Sequence, residues 1–407
     1  MKRRVVITGM GIYSCIGKSL DEVKKSLLEG KSGIIYSPER KEFGYRSALT
    51  GWVENPDLKD LLARRQRVTM GQESEFAYMA TLEAMKNAGI DEDFFKTNEV
   101  GILYGNDSVS EAIIFATDKI REKKDTTLIG SGAIFKTMNS TVTMNLSTIF
   151  QLRGINITIS SACASGSHAV GLGFIMIQNG LQDRILCGGA QEINKYAMGS
   201  FDGLGVFSMR ENEPTKASRP FDIHRDGLVP SGGAASLFLE SYESAMERGA
   251  TILAEVVGYG FSSNGGHIST PNVEGPAIAM RRALESAQMN ASEIEYINAH
   301  ATSTPIGDAN EAKAIHQVFG SEIPVSSTKS MTGHECWMSG ASEIIYSTLM
   351  MQNGFIAPNI NIEKLDEDAA KLNIITQTKS IKINNFLSNS FGFGGTNSAI
   401  IVKEFKN

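Results

Sequence analysis

The window Thr158-Ile159-Ser160-Ser161-Ala162-Cys163-Ala164-Ser165-Gly166-Ser167-His168 sets a thiol where an apolar strand gives way to small residues and then to a helix. Small side chains let the backbone turn sharply and a substrate approach closely. A cysteine at a helix N-terminus meets unpaired N–H groups and the positive end of the helix dipole. Both favour a thiolate, and the same N–H groups suit an oxyanion. Cys163 is therefore the candidate nucleophile. Cys15 and Cys187, in apolar strand-like runs, read as packing cysteines, the common role of a free thiol. A thiol nucleophile needs partners. His300 follows the apolar run Ile294–Asn298 and precedes Thr302-Ser303-Thr304-Pro305, and His334 closes Thr328-Lys329-Ser330-Met331-Thr332-Gly333-His334. Both occupy strand-end loops, where α/β enzymes place their chemistry, although each alone is equally compatible with a structural histidine. His168, His224, His267 and His316 stand in weaker contexts, and His316 reads as a surface residue of a helix. The glycine-rich window from Ser388 to Asn397 lacks the spacings of dinucleotide and phosphate loops. It fits a flexible loop carrying an aromatic gate, or a plain turn before the last strand. His334 and Cys336 are too few to bind a metal, which takes three or four ligands.

Short apolar runs that alternate with helical patterns position these residues. Strands are expected at 4–8, 100–104, 155–160 and 184–187, the last ending at Gly188-Gly189. Helices are expected at 20–29, stopped by Gly30, at 73–88, stopped by Gly89, and at 164–179. A second series begins near Thr251. Its strands fall at 252–257, 294–298, 324–327, 386–389 and 399–402, and its helices at 275–288, 308–319 and 342–353. Strands alternating with helices imply an α/β fold with parallel strand pairs. The similar order of the two series, with chemistry-bearing residues at strand ends, suggests a duplicated unit: residues 1–250 carrying the cysteine and 251–407 carrying the histidines and lysine. No repeat is visible in the sequence itself. The stretch 190–225 reads as one long irregular connection, of a kind that is more often functional than decorative.

Length and composition exclude several classes. The chain of 407 residues, 42% hydrophobic and 21% charged, can bury a sizeable core. A net charge of −6 gives no whole-protein attraction to nucleic acid or anionic membrane. The four cysteines, Cys15, Cys163, Cys187 and Cys336, form no CxxC pair, which points to a reducing compartment rather than a disulfide framework. The opening Met1-Lys2-Arg3-Arg4 and its apolar run mimic a signal peptide for a few residues, but the run stops at Gly9 and reads as a buried strand. No stretch reaches the roughly 18–20 apolar residues that span a bilayer. A cytoplasmic protein is expected.

Together these windows resemble the β-ketoacyl-acyl carrier protein synthases. The resemblance covers nearly the whole chain, from Val5-Ile7-Thr8-Gly9-Gly11 to Gly394-Gly395-Thr396-Asn397. It is nearest to the type I elongating synthases of dissociated bacterial systems, a pointer being Arg225-Asp226-Gly227 followed by Ser231-Gly232-Gly233. It implies a duplicated thiolase-like fold, layered α/β/α/β/α with two mixed sheets. It also implies roles. Cys163 takes the growing acyl chain as a thioester. His300 and His334 hold the malonyl thioester carbonyl and stabilise the enolate formed as carbon dioxide leaves. Backbone N–H groups of Cys163 and Phe393 hold the second oxyanion. Lys329 belongs to the active site, pairing with Glu343 and ordering the histidine loop. Asp308 and Glu311 support, Thr302 and Thr304 bind the pantetheine arm, Phe391 and Gly394 border the substrate, and Phe393 gates. No cofactor is implied, because the 4'-phosphopantetheine arrives on the carrier protein. The chain departs from the family at Ala301, a usual glycine, and at Glu335-Cys336-Trp337-Met338-Ser339, a usual run of small residues. Bulky Trp337 and Met338 are expected to reshape a tunnel or wall, and Cys336 to pack.

The expected partner is an acidic acyl carrier protein, met by Arg64, Arg65 and Arg67 and by a second cluster, Lys119, Arg121, Lys123 and Lys124. Solvated helix faces are the alternative. The resemblance implies a homodimer, with a heterodimer as the alternative. Three functions follow: an elongating synthase of fatty acid synthesis, a dedicated ketosynthase of a polyene or polyketide-like pathway (of the aryl polyene or flexirubin type), and a chain-length-determining partner subunit. Retention of Cys163, His300, Lys329 and His334 argues against the third.

Overall fold

The computed structural model describes residues 2–406; Met1 and Asn407, the outer ends of the two expected halves, lie outside the described residues. Eleven strands form one sheet: β1 (Val5–Ser14), β2 (Gly101–Gly105), β3 (Asn156–Ile159), β4 (Arg184–Gln191), β5 (Gly233–Ser241), β6 (Ala254–Ser263), β7 (Ile297–Asn298), β8 (Pro324–Ser326), β9 (Asn373–Ile374), β10 (Asn385–Gly392) and β11 (Thr396–Lys403). Their order is β9-β8-β7-β10-β11-β6-β1-β5-β4-β2-β3. Outward from the centre, one side runs β1-β5-β4-β2-β3 and the other β6-β11-β10-β7-β8. With the outer edge strand β9 set aside, both follow the same pattern of first, fifth, fourth, second and third strand. On each side two antiparallel pairings are followed by two parallel ones. The two mixed sheets expected from the sequence meet edge to edge, where Val5, Val6 and Ile7 pair antiparallel with Val256, Glu255 and Ala254.

Five helices cover these strands: α1 (Gln72–Ala88), α2 (Ser165–Gln178), α3 (Glu274–Ala287), α4 (Pro305–Phe319) and α5 (Ser339–Asn353). α1 lies on β1 and β5, α3 lies on β6 and β11, and α2 and α5 pack on each other between the two sides. This is a five-layer arrangement of helix, sheet, helix, sheet, helix.

The duplication is written in small residues. A Cβ on Gly11 would stand 2.0 Å from the carbonyl oxygen of Ala80, and one on Gly260 would stand 2.0 Å from that of Ala279. Gly9 meets Ala84 and Ala88 of α1 just as Gly258 meets Ala283 and Ala287 of α3. Each glycine pair directly follows a β-bulge, at Thr8 and at Val257. Glycine in a strand here marks close backbone approach. The central helices repeat the device. Gly166 faces the backbone of Trp337, Met338 and Ala341, and Gly340 faces Ser167, so the N-termini of α2 and α5 cross in contact.

The helix at Leu20–Glu29, capped by left-handed Gly30, has the expected bounds, and the helices at α1 to α5 lie within three residues of expectation at each end. Several strands run longer than expected. β1 continues through Gly9 to Ser14 and β4 through Gly188-Gly189 to Gln191, because these glycines seat helices and neighbouring backbone instead of making turns. β5 was not expected from the sequence at all. The irregular connection 190–225 contains a short helix, Gly199–Leu204. No helix of the described residues is long and apolar enough to cross a membrane.

Gly11→Ala is expected to destabilise the fold by about 3 kcal/mol, the upper range for overpacking, read as the urea midpoint. Gly203→Ala, with nothing within 4 Å of the added methyl, should stay within about 0.5 kcal/mol of the parent.

Candidate active site

Cys163 sits between β3 and α2, two residues before the first helical turn. The turn is strained. Ala162 has φ +46°, a left-handed conformation unusual for a residue with a Cβ. Ser165 Oγ donates to the Ala162 carbonyl at 2.6 Å and accepts the Ser161 N–H at 2.8 Å. Asp107, at the end of β2, accepts from the Ser160 hydroxyl and the Ala162 N–H. Cys163 is buried, and burial pushes its thiol up to about 12, against the pull of Lys329 and of the backbone N–H groups of Cys163 and Phe393. Burial thus opposes the thiolate expected at a helix N-terminus. Loss of solvation outweighs those favourable neighbours.

His300 leaves the end of β7. Its N–H and that of Ala301 donate to Glu311 of α4 at 2.9 and 2.6 Å, and Asn389 of β10 donates to the same carboxylate at 3.0 Å. The methyl of Ala301, where a glycine was expected, joins the apolar cluster of Ala299 and Ala312. The His300 ring stands edge-to-face to His334, with centroids 5.3 Å apart, and 5.6 Å from Phe391. His334 is tied by its backbone to Val229 and Ser231, and its Nδ1 lies 3.2 Å from Ser339 Oγ. Burial first, and the charge of Lys329 second, hold both imidazoles well below the usual histidine range. Two neutral rings can each present an N–H to an oxygen.

Lys329 does not line the cavity. It lies behind the histidines, fully buried, with its ammonium on Glu343 of α5, as the sequence reading has it. Burial pushes the Glu343 carboxyl up to about 8 against the pull of that ammonium.

A cavity of about 490 Å³ collects Cys163, His300, His334, Glu311, Thr302, Thr304, Phe391 and Phe393 on one wall or another. The Thr302 and Thr304 hydroxyls are 3.2 Å apart. Phe393, 38% exposed, stacks on Phe201 at 5.5 Å, and Phe201 leans on Trp337 at 6.3 Å. Gly394 is outside the lining; its N–H closes the loop onto the Ile268 carbonyl at 2.7 Å. Asp308 also stays outside, accepting the N–H groups of Phe221 and Thr304 at 3.0 and 3.2 Å.

The sequence reading missed three residues here. Arg225 donates to the carbonyls of Thr304 and Pro305 and pairs with Asp308 and Asp366, fixing the threonine loop. Asp107 holds the turn at Cys163, and Glu335, the residue after His334, ties that loop to Tyr346 of α5. Their only sequence signal was an acid or base amid small residues. His168 is structural, held between Tyr259 and Thr396 at 2.6 and 2.8 Å. Cys336 is fully buried with φ +46°.

The two basic clusters differ. Arg64 and Arg65 rim a second cleft, of about 530 Å³, with Lys136 and an apolar floor that includes Val68 and Phe115. Arg67 turns back to the Leu62 carbonyl. On the helix Glu111–Lys123, Arg121 pairs with Asp118 and Lys123 with Glu122, Lys119 lies over the Phe115 ring, and Lys124 is the left-handed cap.

Comparison with known proteins bears on the fold and the reaction class. The Beta-ketoacyl synthase N-terminal domain matches residues 2–245 and its C-terminal domain residues 253–363. The 3-oxoacyl-[acyl-carrier-protein] synthase 1 of Haemophilus influenzae is 44% identical, covering 99% of each chain. The crystal structure of a Beta-ketoacyl synthase from Burkholderia phymatum superposes with a TM-score of 0.94 at 37% identity, over 100% of both chains. A ketosynthase bound to a hexaketide, in complex with a type II polyketide acyl-carrier protein, superposes with a TM-score of 0.87 at 30% identity, also over 100% of both. Fold and site together define an acyl-transferring, carbon–carbon bond-forming enzyme of the thiolase-like kind. The chain belongs to the β-ketoacyl synthase family.

The buried acids set a pH dependence of stability. Burial raises Glu335 and Asp308 to about 7, whereas the unfolded chain releases these protons near the ordinary values of about 4.3 and 3.9. A raised carboxyl contributes stability below its unfolded value and loses it as pH rises through the folded one. The lowered histidines act only below about 6.5, their unfolded value. Stability should therefore fall as pH rises from about 6.5 to about 8, measured as urea midpoints. A flat or rising profile contradicts the assignment.

Proposed function

We propose that this chain is a β-ketoacyl-acyl carrier protein synthase of fatty acid elongation. The observation that carries the reading is a buried cysteine sharing one cavity with two imidazoles that are both neutral. In the first half-reaction Cys163 attacks the acyl thioester of the carrier. The S–C bond to the pantetheine breaks, and the cysteine proton leaves with the carrier thiol. In the second, malonyl thioester binds with its carbonyl oxygen toward His300 and His334. The bond to the carboxylate breaks, carbon dioxide departs, and the electron pair moves to an enolate held by the two N–H donors. Each such donor contributes on the order of 3 kcal/mol, and charged imidazoles would not be needed. The enolate carbon attacks the Cys163 thioester, whose oxyanion is held by the N–H groups of Cys163 and Phe393. The thiolate leaves and takes up a proton. Thr302 and Thr304 receive the pantetheine arm, Phe391 borders it, and Phe393 gates the passage. Lys329, Glu343, Glu311 and Asp308 hold the histidine and threonine loops in place.

The acyl carrier protein docks on the cleft rimmed by Arg64, Arg65 and Lys136, whose cations have no carboxylate partner among the described residues. The cluster of Arg121 and Lys123 is already neutralised. β3 ends the sheet with an unpaired edge, and its Ile157 is 46% exposed. An exposed edge strand recruits another strand, and a second copy of this chain pairing there gives a homodimer.

One observation favours a second reading, a ketosynthase for conjugated chains. The aromatic row Trp337, Phe201 and Phe393 runs beside Cys163, and flat π-faces suit a conjugated acyl group.

Cys163→Ala should abolish carrier-dependent condensation, read by mass spectrometry of products from a panel of primers; retained activity overturns the mechanism. In the parent, preference for saturated primers supports fatty acid elongation, and preference for conjugated ones moves the chain to the second reading. Arg64→Glu with Arg65→Glu should raise KM for carrier-bound substrates about tenfold while leaving turnover of pantetheine thioesters intact. Unchanged KM sinks the docking assignment.

A further inference from the structure

Glu335 directly follows His334, in the segment where family members carry small residues, and the reaction as written above does not use it. Its side chain is 1% exposed. Its two oxygens have separate partners, Tyr346 Oη at 2.8 Å on Oε1 and Ser342 Oγ on Oε2. Both partners belong to α5. No cation of the described residues comes within ion-pair distance of this carboxyl, since the nearby ammonium of Lys329 is held by Glu343.

The Ser342 hydroxyl decides the state of the acid. It lies within hydrogen-bonding reach of Glu335 Oε2 and also 3.0 Å from the Ser339 carbonyl oxygen. A serine hydroxyl has one hydrogen and cannot donate to both. If it donates to the carbonyl, Glu335 must be the donor to Ser342, and every group is satisfied: Glu335 O–H to Ser342 Oγ, Ser342 O–H to the Ser339 carbonyl, Tyr346 O–H to Glu335 Oε1. If Glu335 is ionised, the hydroxyl turns to it and a buried, unpaired carboxylate remains, which is the costly arrangement. Ser339 is also the residue whose Oγ meets Nδ1 of His334. The chain from Glu335 therefore ends on the residue that orients the catalytic ring.

We propose that Glu335 is a positioning residue that works as a neutral acid, locking the His334 loop to α5 through Ser342 and Tyr346 and so fixing the imidazole for malonyl decarboxylation. The groups that face it are Lys329 and Glu343 behind the histidines, Tyr346 on α5, Cys15 from the first strand's exit, and Cys336 and His334 on its own loop. Burial raises its carboxyl, in keeping with a proton retained at neutral pH. The inference rests on the proposed condensing function, because His334 must act on the malonyl group for its position to matter.

The test separates the two half-reactions in the full-length protein. Glu335→Ala should slow malonyl-thioester decarboxylation at least about tenfold, while Cys163 is still acylated by an acyl thioester, followed by intact mass. Glu335→Gln reproduces the neutral acid, its amide donating to Ser342 and its carbonyl accepting from Tyr346. It should recover most of the lost rate and remove the loss of rate that ionisation of Glu335 causes at alkaline pH. An infrared difference spectrum of the parent minus Glu335→Gln at pH 7 should contain a protonated carboxylic C=O band. A Gln variant as slow as the Ala variant, an Ala variant as fast as the parent, or absence of that band overturns the proposal. The infrared measurement stands if the Ala variant does not fold. Failure of the parent itself to acylate Cys163 would instead overturn the condensing function.

Discussion

The buried ammonium of Lys329 is the charge to which the groups around Cys163 respond. It pulls the Cys163 thiol down, pushes both histidines away from protonation, and draws on Glu311, Glu335 and Glu343. Burying such a charge costs several kcal/mol unless it is paired, and Glu343 pairs it from the second turn of α5. The consequence is functional. Burial, reinforced by a nearby cation, disfavours protonation of both imidazoles, which suits them to serve as hydrogen-bond donors. Removing Glu343 would leave an uncompensated charge beneath both rings.

The fold is what allows one lysine to reach all of these groups. Pairing of β1 with β6 and the crossing of α2 over α5 at Gly166 and Gly340 repeat a twofold relation within one chain. Cys163 precedes α2 and His334 precedes α5, so bringing the two helix N-termini into contact brings the nucleophile to the histidines. Any side chain at those glycines would push the helices apart by an atom's width and widen the gap between Cys163 and the two histidines. The small residues on the outer faces of the sheet are part of the same constraint, since Gly11 with Ala80 and Gly260 with Ala279 fix how closely each outer helix lies.

Much of this was legible in the sequence, for physical reasons that also explain what was not. Leu20–Glu29 could be bounded because Ser19 and Gly30 are strong caps, visible as residue types. Cys163, His300 and His334 stood out because strand ends are where α/β enzymes gather their chemistry, and Lys329 because the family resemblance marks it. Gly9 and Gly188 misled, since a glycine that ends a strand and one that admits a helix are the same letter. β5, Gly-Ala-Ala-Ser-Leu-Phe-Leu-Glu-Ser, has no β-branched residue and owes its existence to pairing on both sides, with β1 and β4. The duplication hid because only Gly-x-Gly and Ala-x-x-x-Ala recur. Arg225 and Glu335 hid because their partners are carbonyls and hydroxyls on other elements, which no local pattern announces. The opposing pull of burial on the Cys163 thiol was not legible because burial, unlike a helix terminus, cannot be seen in a window of eleven residues.

Net charge shows the same limit of a whole-chain number. The chain carries 45 acidic and 39 basic residues. Ten of the acids are buried, Glu73, Glu192, Asp202, Asp222, Glu240, Glu255, Asp308, Glu311, Glu335 and Glu343, against four buried bases, Arg40, Arg219, Arg225 and Lys329. The formal charge of −6 thus resides in the interior, and the remainder of the chain is balanced between the two signs. Several of the buried acids serve as anchors: Glu311 for the His300 backbone, Asp308 for Thr304, Asp107 at the nucleophile turn in a half-buried version of the same role. With burial raising many of them, part of that formal charge is absent at neutral pH. An acidic partner approaching this surface therefore meets no net repulsion, and a local patch such as Arg64, Arg65 and Lys136 stands out against a balanced surface, its field screened beyond about 8 Å at physiological salt.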